Sequence, residues 1–204
     1  MCITCKFAID IMLSASLRIY SNHLFIAIMD HEHLKYPIGK FNPVGIYEKD
    51  YLLRRILEIE TLPIKLQNIV NKLDQKQLDT PYRPGGWTVR QLVHHLPDSH
   101  ANAYIRFKWT LTEENPTIKA YKEDLWAELP DSKAPVYVAF NMLSSIHERW
   151  VILMRSLSEA EWERSFIHPE TKKTISLRDM AGLYAWHGIH HLAHIHNLIV
   201  RERW

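Results

Sequence analysis

Five histidines stand in the ten residues His187–His196, within the run Trp-His-Gly-Ile-His-His-Leu-Ala-His-Ile-His that opens at Trp186. Residues four apart on a helix share one face. His187/His191 and His190/His194 would therefore each aim two imidazoles at one point. Imidazoles at this spacing hold zinc in the HExxH metalloproteases. Gly188 stands where that motif carries its Glu, so the general base of a metalloprotease is missing. The competing reading is a solvated histidine-rich face. An expression tag is a poor alternative, because apolar residues are interspersed with these histidines.

Two protein ligands are rarely enough, since a catalytic zinc usually takes three and leaves a position to water. The segment after Trp87 offers His94, His95 and His100. On a helix wheel, Val89, Leu92, Val93 and Leu96 define the inward stripe. His95 lies nearer that stripe than His94, and His100 lies closer still. Pro97 disturbs this geometry by removing a backbone N–H, so periodicity leaves the third ligand open. Neutral imidazoles would leave the charge of a dication uncompensated, which favours deprotonation of a bound water or thiol. Zinc suits three nitrogens, and nickel also accepts imidazole.

Around these candidates the readings are plainer. Asp98 and Asn102 are candidate acceptors for the free ring nitrogens, with a surface position as the competing reading. His147, His190, His194 and His196 read as packing, surface or supporting groups rather than ligands. Tyr104, Trp109 and Tyr121 read as core aromatics and Arg106 as half of a surface ion pair. The competing reading puts all four at a pocket mouth, with Arg106 holding a carboxylate. No Gly-x-Ser-x-Gly elbow occurs, and the Cys2/Cys5 pair has neither a second CxxC nor a nearby His pair. A serine or cysteine nucleophile is not expected.

Helices must position these residues. Apolar residues recur at spacings of three and four from Ile46 to Leu73, with Pro63 expected to kink or divide the helix. The turn Thr80–Gly86 precedes Trp87. Thr88 with Gln91 three residues later fits a capping box and starts a helix over Val89 to about Thr112. Glu113–Asp131 reads as a long ordered loop and a candidate crossover. Val136–Leu157 is the third helix, with a stripe of Val136, Phe140, Leu143, Ile146, Trp150, Leu153 and Leu157. A short hairpin is expected around Pro169, before a fourth helix from Leu177 toward Arg201, started by a box-like Ser176/Asp179. Four long amphipathic helices predict an all-α four-helix bundle.

The 204 residues suit one domain with an appendage. Lys+Arg 25 against Asp+Glu 23 gives +2, too near neutrality for a phosphate-neutralising nucleic-acid binder. No apolar run reaches the length of a membrane span. Residues 1–33 read as a poorly specified extension and 34–204 as the bundle. Met29 precedes ordinary domain sequence, so the residues before it are expected to be a misassigned start.

The stretch GGWTVRQLVHHLPDSHANAYIRFKWTLTEENPTIKAY, with LYAWHGIHHLAHI, resembles the DinB/YfiT-like superfamily and its bacillus YfiT branch. The resemblance runs from about Tyr36 to the C-terminus. In that family a metal-ligand His precedes a Leu, eight residues after the Trp, and here that is His95. The family's later pair follows Tyr-x-Trp, and here that is His187 and His191. Relatives carry Ala where this chain has Pro97, which could turn the His95 ring. The resemblance implies a metal-dependent hydrolase with one zinc or nickel ion per subunit and a metal-held water as nucleophile. The alternative is a transferase joining a low-molecular-weight thiol, bacillithiol by resemblance, to an electrophile. A third reading is a non-enzymatic helical protein with a structural metal. A small-molecule substrate, a homodimer and a cytoplasmic location are expected, with no nucleic acid and no membrane as partners.

Overall fold

The structure, a computed structural model, describes residues 32–43 and 47–204. The expected extension, its Cys2/Cys5 pair and the start at Met29 lie largely outside the described residues. Residues 32–39 fall in a first unit, Met1–Gly39, and include a helical turn at 32–35. The remainder, from Lys40 to Trp204, is built on four long helices. These are α1 (Tyr51–Val70), α3 (Val89–Thr112), α5 (Val136–Ser156) and α7 (Leu177–Glu202). Short helices α2 (Gln75–Leu78), α4 (Glu123–Trp126) and α6 (Glu159–Trp162) punctuate the connections, with a 3-10 turn at Pro130–Lys133. No described helix is long and apolar enough to cross a membrane.

Helix α1 packs on α5 and α7, and α3 packs on the same two helices. The pairs α1/α3 and α5/α7 thus lie on the diagonals of the bundle. The crossover expected in Glu113–Asp131 is elsewhere: α3 and α5 are packed neighbours, and the diagonal crossings are made by residues 71–88 and 157–176. Glu113–Asp131 is ordered partly by sheet-like bonds. The Ile118 N–H donates to the Ile167 carbonyl (3.1 Å), and the Ile167 N–H donates to the Pro116 carbonyl (2.9 Å). The hairpin is present, with β1 (Ser165–Ile167) antiparallel to β2 (Thr174–Ser176).

Both prolines sit inside unbroken helices. Pro63 neither ends nor divides α1. It has no N–H to give the carbonyl four residues back, so the Ile59 carbonyl is left without its helical donor. Pro97 likewise lies within a continuous α3.

The apolar interior falls into two clusters. One gathers Ile59, Ala103, Phe107, Trp150, Met180 and Ala185. The other gathers Leu62, Leu66, Leu92, Leu96, Leu143 and Ile195. Along each helix the gap between the clusters falls at the same level: after Leu96 on α3, after Leu143 on α5, and after Ala185 on α7. His95, His100, His147, His187 and His191 occupy this layer. A Cβ on Gly188 would stand 2.5 Å from Leu62 Cδ2, so glycine lets α7 approach α1 at the histidine level.

Candidate metal centre

Helix α3 begins at a fixed point. Thr88 accepts the Gln91 N–H (3.1 Å), and the Gln91 amide oxygen accepts the Thr88 N–H (3.0 Å). Trp87, held by its carbonyl to the Tyr82 N–H (3.0 Å), lays its ring 4.6 Å from that of His95. Two turns into the helix, His95 points at α7. Its Nε2 lies 3.3 Å from His187 Nε2, which lies 3.1 Å from His191 Nε2. One nitrogen from each of the three residues falls within 4.8 Å of the others. Pro97 has not turned the His95 ring away.

A proton cannot satisfy this convergence. A bare His187 Nε2 has one lone pair and can accept one hydrogen bond, yet two other ring nitrogens crowd it. A divalent cation in the middle would serve all three. His191 Nδ1 is buried and makes no hydrogen bond among the described residues. Burial and the neighbouring imidazoles push His187 and His191 well below the ordinary imidazole pKa, and burial takes His95 down to about 4. All three are therefore neutral at physiological pH, the state a metal needs.

A chain of imidazoles fixes which nitrogen of His187 faces the centre. The Ile59 carbonyl, freed by Pro63, can only accept, so its partner His147 Nδ1 carries a proton. Burial holds His147 at a pKa of about 4, so it is neutral and its Nε2 is bare. That Nε2 accepts from His100 Nδ1 at 2.8 Å. The bare His100 Nε2 then accepts from His187 Nδ1 at 3.2 Å. His187 Nε2 is left with its lone pair toward His95 and His191. The candidate acceptors Asp98 and Asn102 do not do this: the Asn102 amide donates to the Asp98 carbonyl (2.9 Å). His100, a candidate ligand by sequence, takes the orienting role.

The second His pair, His190 and His194, brings its Nε2 atoms to 3.0 Å, with a His191 nitrogen also within 4.8 Å. A single hydrogen bond satisfies that pair, and one helix supplies all three residues. The first group draws on two helices, and all three of its members line a hollow of about 440 Å³ that His190 and His191, but not His194, of the second group also line. Ser99, Arg106, Tyr121, Glu123, His168 and Glu170 share its wall with the histidines, and Trp87 and Trp186 flank it. A larger hollow of about 720 Å³ elsewhere is lined by Arg90, Asp79 and Tyr137 and holds no histidine. Of the four residues considered for a pocket mouth, Arg106 and Tyr121 line the hollow. Tyr104 packs against the core, and Trp109 is partly exposed. Arg106 is not a surface ion pair: it is buried, and its Nη2 donates to the Lys119 carbonyl (3.0 Å).

The sequence profile of the DinB superfamily matches residues 58–195, which span all of these histidines. The chain belongs to the DinB superfamily. It is 58% identical over 171 residues to a Bacillus mycoides protein named "Putative metal-dependent hydrolase", covering 84% of this chain and 98% of that one. A Bacillus cereus protein of the same name is 57% identical over the same shares. Among solved structures, YfiT from Bacillus subtilis is described as a probable metal-dependent hydrolase with an unusual four-helix bundle topology. It aligns with a TM-score of 0.83 at 48% identity, over 84% of this chain and 99% of that one. A mycothiol-dependent maleylpyruvate isomerase aligns with a TM-score of 0.53 at 16% identity, over 68% of this chain and 60% of that one. That likeness concerns the fold alone.

Within this DinB-superfamily bundle, His147 occupies the buried stripe where Ile146 was expected. It is 1% exposed and lies four residues after Leu143 and three before Trp150. Its depressed pKa makes metal-free stability depend on pH. An unfolded imidazole titrates near 6.5, whereas folded His147 does so at about 4. Between those values the unfolded chain takes up a proton that the fold refuses. The stabilisation is complete above about 6.5 and is lost as pH falls toward about 4. Urea unfolding of chelated protein at pH 7.5 and 5 should show a loss of roughly 2 kcal/mol from His147 alone. A His147→Leu variant should lack that increment; an equal loss in the variant would remove His147 as its source.

His94 serves a different contact. Its Nε2 donates to the Ala134 carbonyl at 3.0 Å, tying α3 to the turn before α5. His94→Ala is expected to cost about 1–2 kcal/mol of stability and to leave metal content unchanged. Metal analysis beside thermal melts checks both halves.

Proposed function

We propose that the protein is a metal-dependent hydrolase whose divalent ion, zinc or nickel, is held by His95, His187 and His191. The observation that carries this is the convergence of three neutral ring nitrogens beside an open hollow. A divalent ion held there would supply Lewis acidity and lower the pKa of a water or thiol beside it. The chain's own residues do the rest. His100 and His147 orient His187. Trp87 and Trp186 screen the histidines, and Glu123, His168 and Glu170 bring groups able to accept or donate a proton to the hollow.

A structural metal fits less well, because structural zinc normally closes with four protein ligands. His100 Nε2 contacts His187 at Nδ1, the His187 nitrogen away from the centre. The names of the relatives favour hydrolysis. A homodimer in the cytoplasm belongs to the same reading.

The test is metal analysis of purified protein, then assays on activated esters and amides with and without a low-molecular-weight thiol. Cleavage without thiol, lost on chelation and restored by zinc or nickel, is expected. Consumption of an electrophile only when thiol is present would replace hydrolase with thiol transferase. Full metal occupancy without either activity would favour the structural role.

A further inference from the structure

Two arginines of the bundle are buried. Arg90, 9% exposed, has Asp79 at 2.7 Å. Arg106, 8% exposed, has no carboxylate within ion-pair distance among the described residues, although seven other arginines do. Glu123 and Glu170 share the wall of its hollow, yet neither forms an ion pair with it. The guanidinium is nevertheless fixed. Nη2 donates to the Lys119 carbonyl, and the group lies 6.0 Å from the centre of the Tyr121 ring. Its Nε is buried and has no hydrogen-bond partner among the described residues.

A buried charge without a counter-ion is costly even after relaxation. One carbonyl, one aromatic face and the Tyr184 hydroxyl, which is also hydrogen-bonded to Arg106, are neutral partners and return only part of that. The missing component is an anion, and the hollow that Arg106 shares with His95, His187 and His191 is where one would enter.

We propose that Arg106 anchors a carboxylate of the small molecule handled at the histidine centre. This rests on the reading of that centre as a reaction site. The planar guanidinium fork matches a carboxylate and leaves the rest of the molecule to reach the histidines. A hollow of about 440 Å³ suits a compact ligand. A phosphate dianion fits less well, because Glu123 and Glu170 stand in the same wall. The two ends would then read different features: the arginine reads charge, and the histidine centre reads the group that reacts.

The test uses benzoate and its uncharged counterpart benzamide as probes, with fluorescence of the full-length protein as readout, since Trp87 and Trp186 flank the hollow. Saturable benzoate binding is expected both in protein as purified and in the metal-poor His187→Ala variant. Arg106→Gln should weaken it by at least about tenfold without changing metal content. Arg106→Lys keeps the charge but loses the fork, and should weaken it several-fold. That variant carries the test if the glutamine variant fails to fold. Benzamide should bind poorly to every form. Equal binding of benzoate and benzamide, unchanged benzoate binding in both arginine variants, or tighter binding of inorganic phosphate would overturn the proposal. Benzoate binding that follows the metal and ignores Arg106 would also overturn it, while leaving the hydrolase reading intact. Arg106-dependent binding in a protein without catalysis would do the reverse.

Discussion

Changing His187 to alanine is expected to strip the protein of its metal. His187 is the middle member of the group: its Nε2 lies 3.3 Å from that of His95 and 3.1 Å from that of His191. Its removal takes away one nitrogen of three and ends the orienting chain at His100. Losing an outer partner of a metal ligand costs roughly 10–100-fold in affinity. Losing the ligand together with its partner should exceed about 100-fold, and bound metal should fall from one equivalent to near none. Activity should go with it. His194→Ala is the control, because His194 belongs to the other histidine group. Metal content and a zinc-competition titration of both variants decide between the groups. If His187→Ala keeps its metal and His194→Ala loses it, the ion belongs to His190, His191 and His194.

The sequence located the helices well, because their apolar spacing is a local property. Thr88/Gln91 marks the start of α3, and both arms of its capping box are made. The expectation of Ile46–Leu73 for the first helix is longer than α1 at each end, since apolar periodicity does not register where hydrogen bonding stops. Topology was less legible. That α1 and α3 lie on a diagonal depends on which helix faces cover each other, and a single helix carries no record of that. The hairpin was legible from Pro169 and its neighbours, but not its pairing with the segment before Tyr121.

The site was legible in part for a similar reason. His187 and His191 share one helix, so their spacing alone suggests a pair. His95 comes from another helix and needed the resemblance to separate it from His94 and His100. Arg106 was misjudged because charge in a sequence does not reveal whether a carboxylate will stand beside it after folding. His147 was read only as one of several packing, surface or supporting histidines, although its spacing from Leu143 and Trp150 put it on the buried stripe. Pro63 carried a further signal. A proline inside an apolar helix frees the carbonyl four residues back, and a buried free carbonyl needs a donor.

That donor leads to the second large effect. His147→Leu should weaken metal binding about 10–100-fold, although His147 is two hydrogen bonds from the nearest proposed ligand. Leucine cannot accept from His100 Nδ1, so the His100 proton is free to move to Nε2. From there it would donate to His187 Nδ1, leaving the His187 proton on Nε2, the nitrogen that must face the metal. The ligand is then present in the wrong tautomer. His147→Gln separates this effect from packing. A glutamine amide can donate to the Ile59 carbonyl and accept from His100, so it should restore much of the affinity that leucine loses. Stability needs its own measurement, because leucine leaves both the Ile59 carbonyl and His100 Nδ1 without a partner, at about 1–3 kcal/mol each. Zinc affinity should therefore be measured well below the melting temperature of the weaker variant. Equal affinities in the leucine and glutamine variants would reduce His147 to a core residue and leave the His187 tautomer to be set by the metal itself.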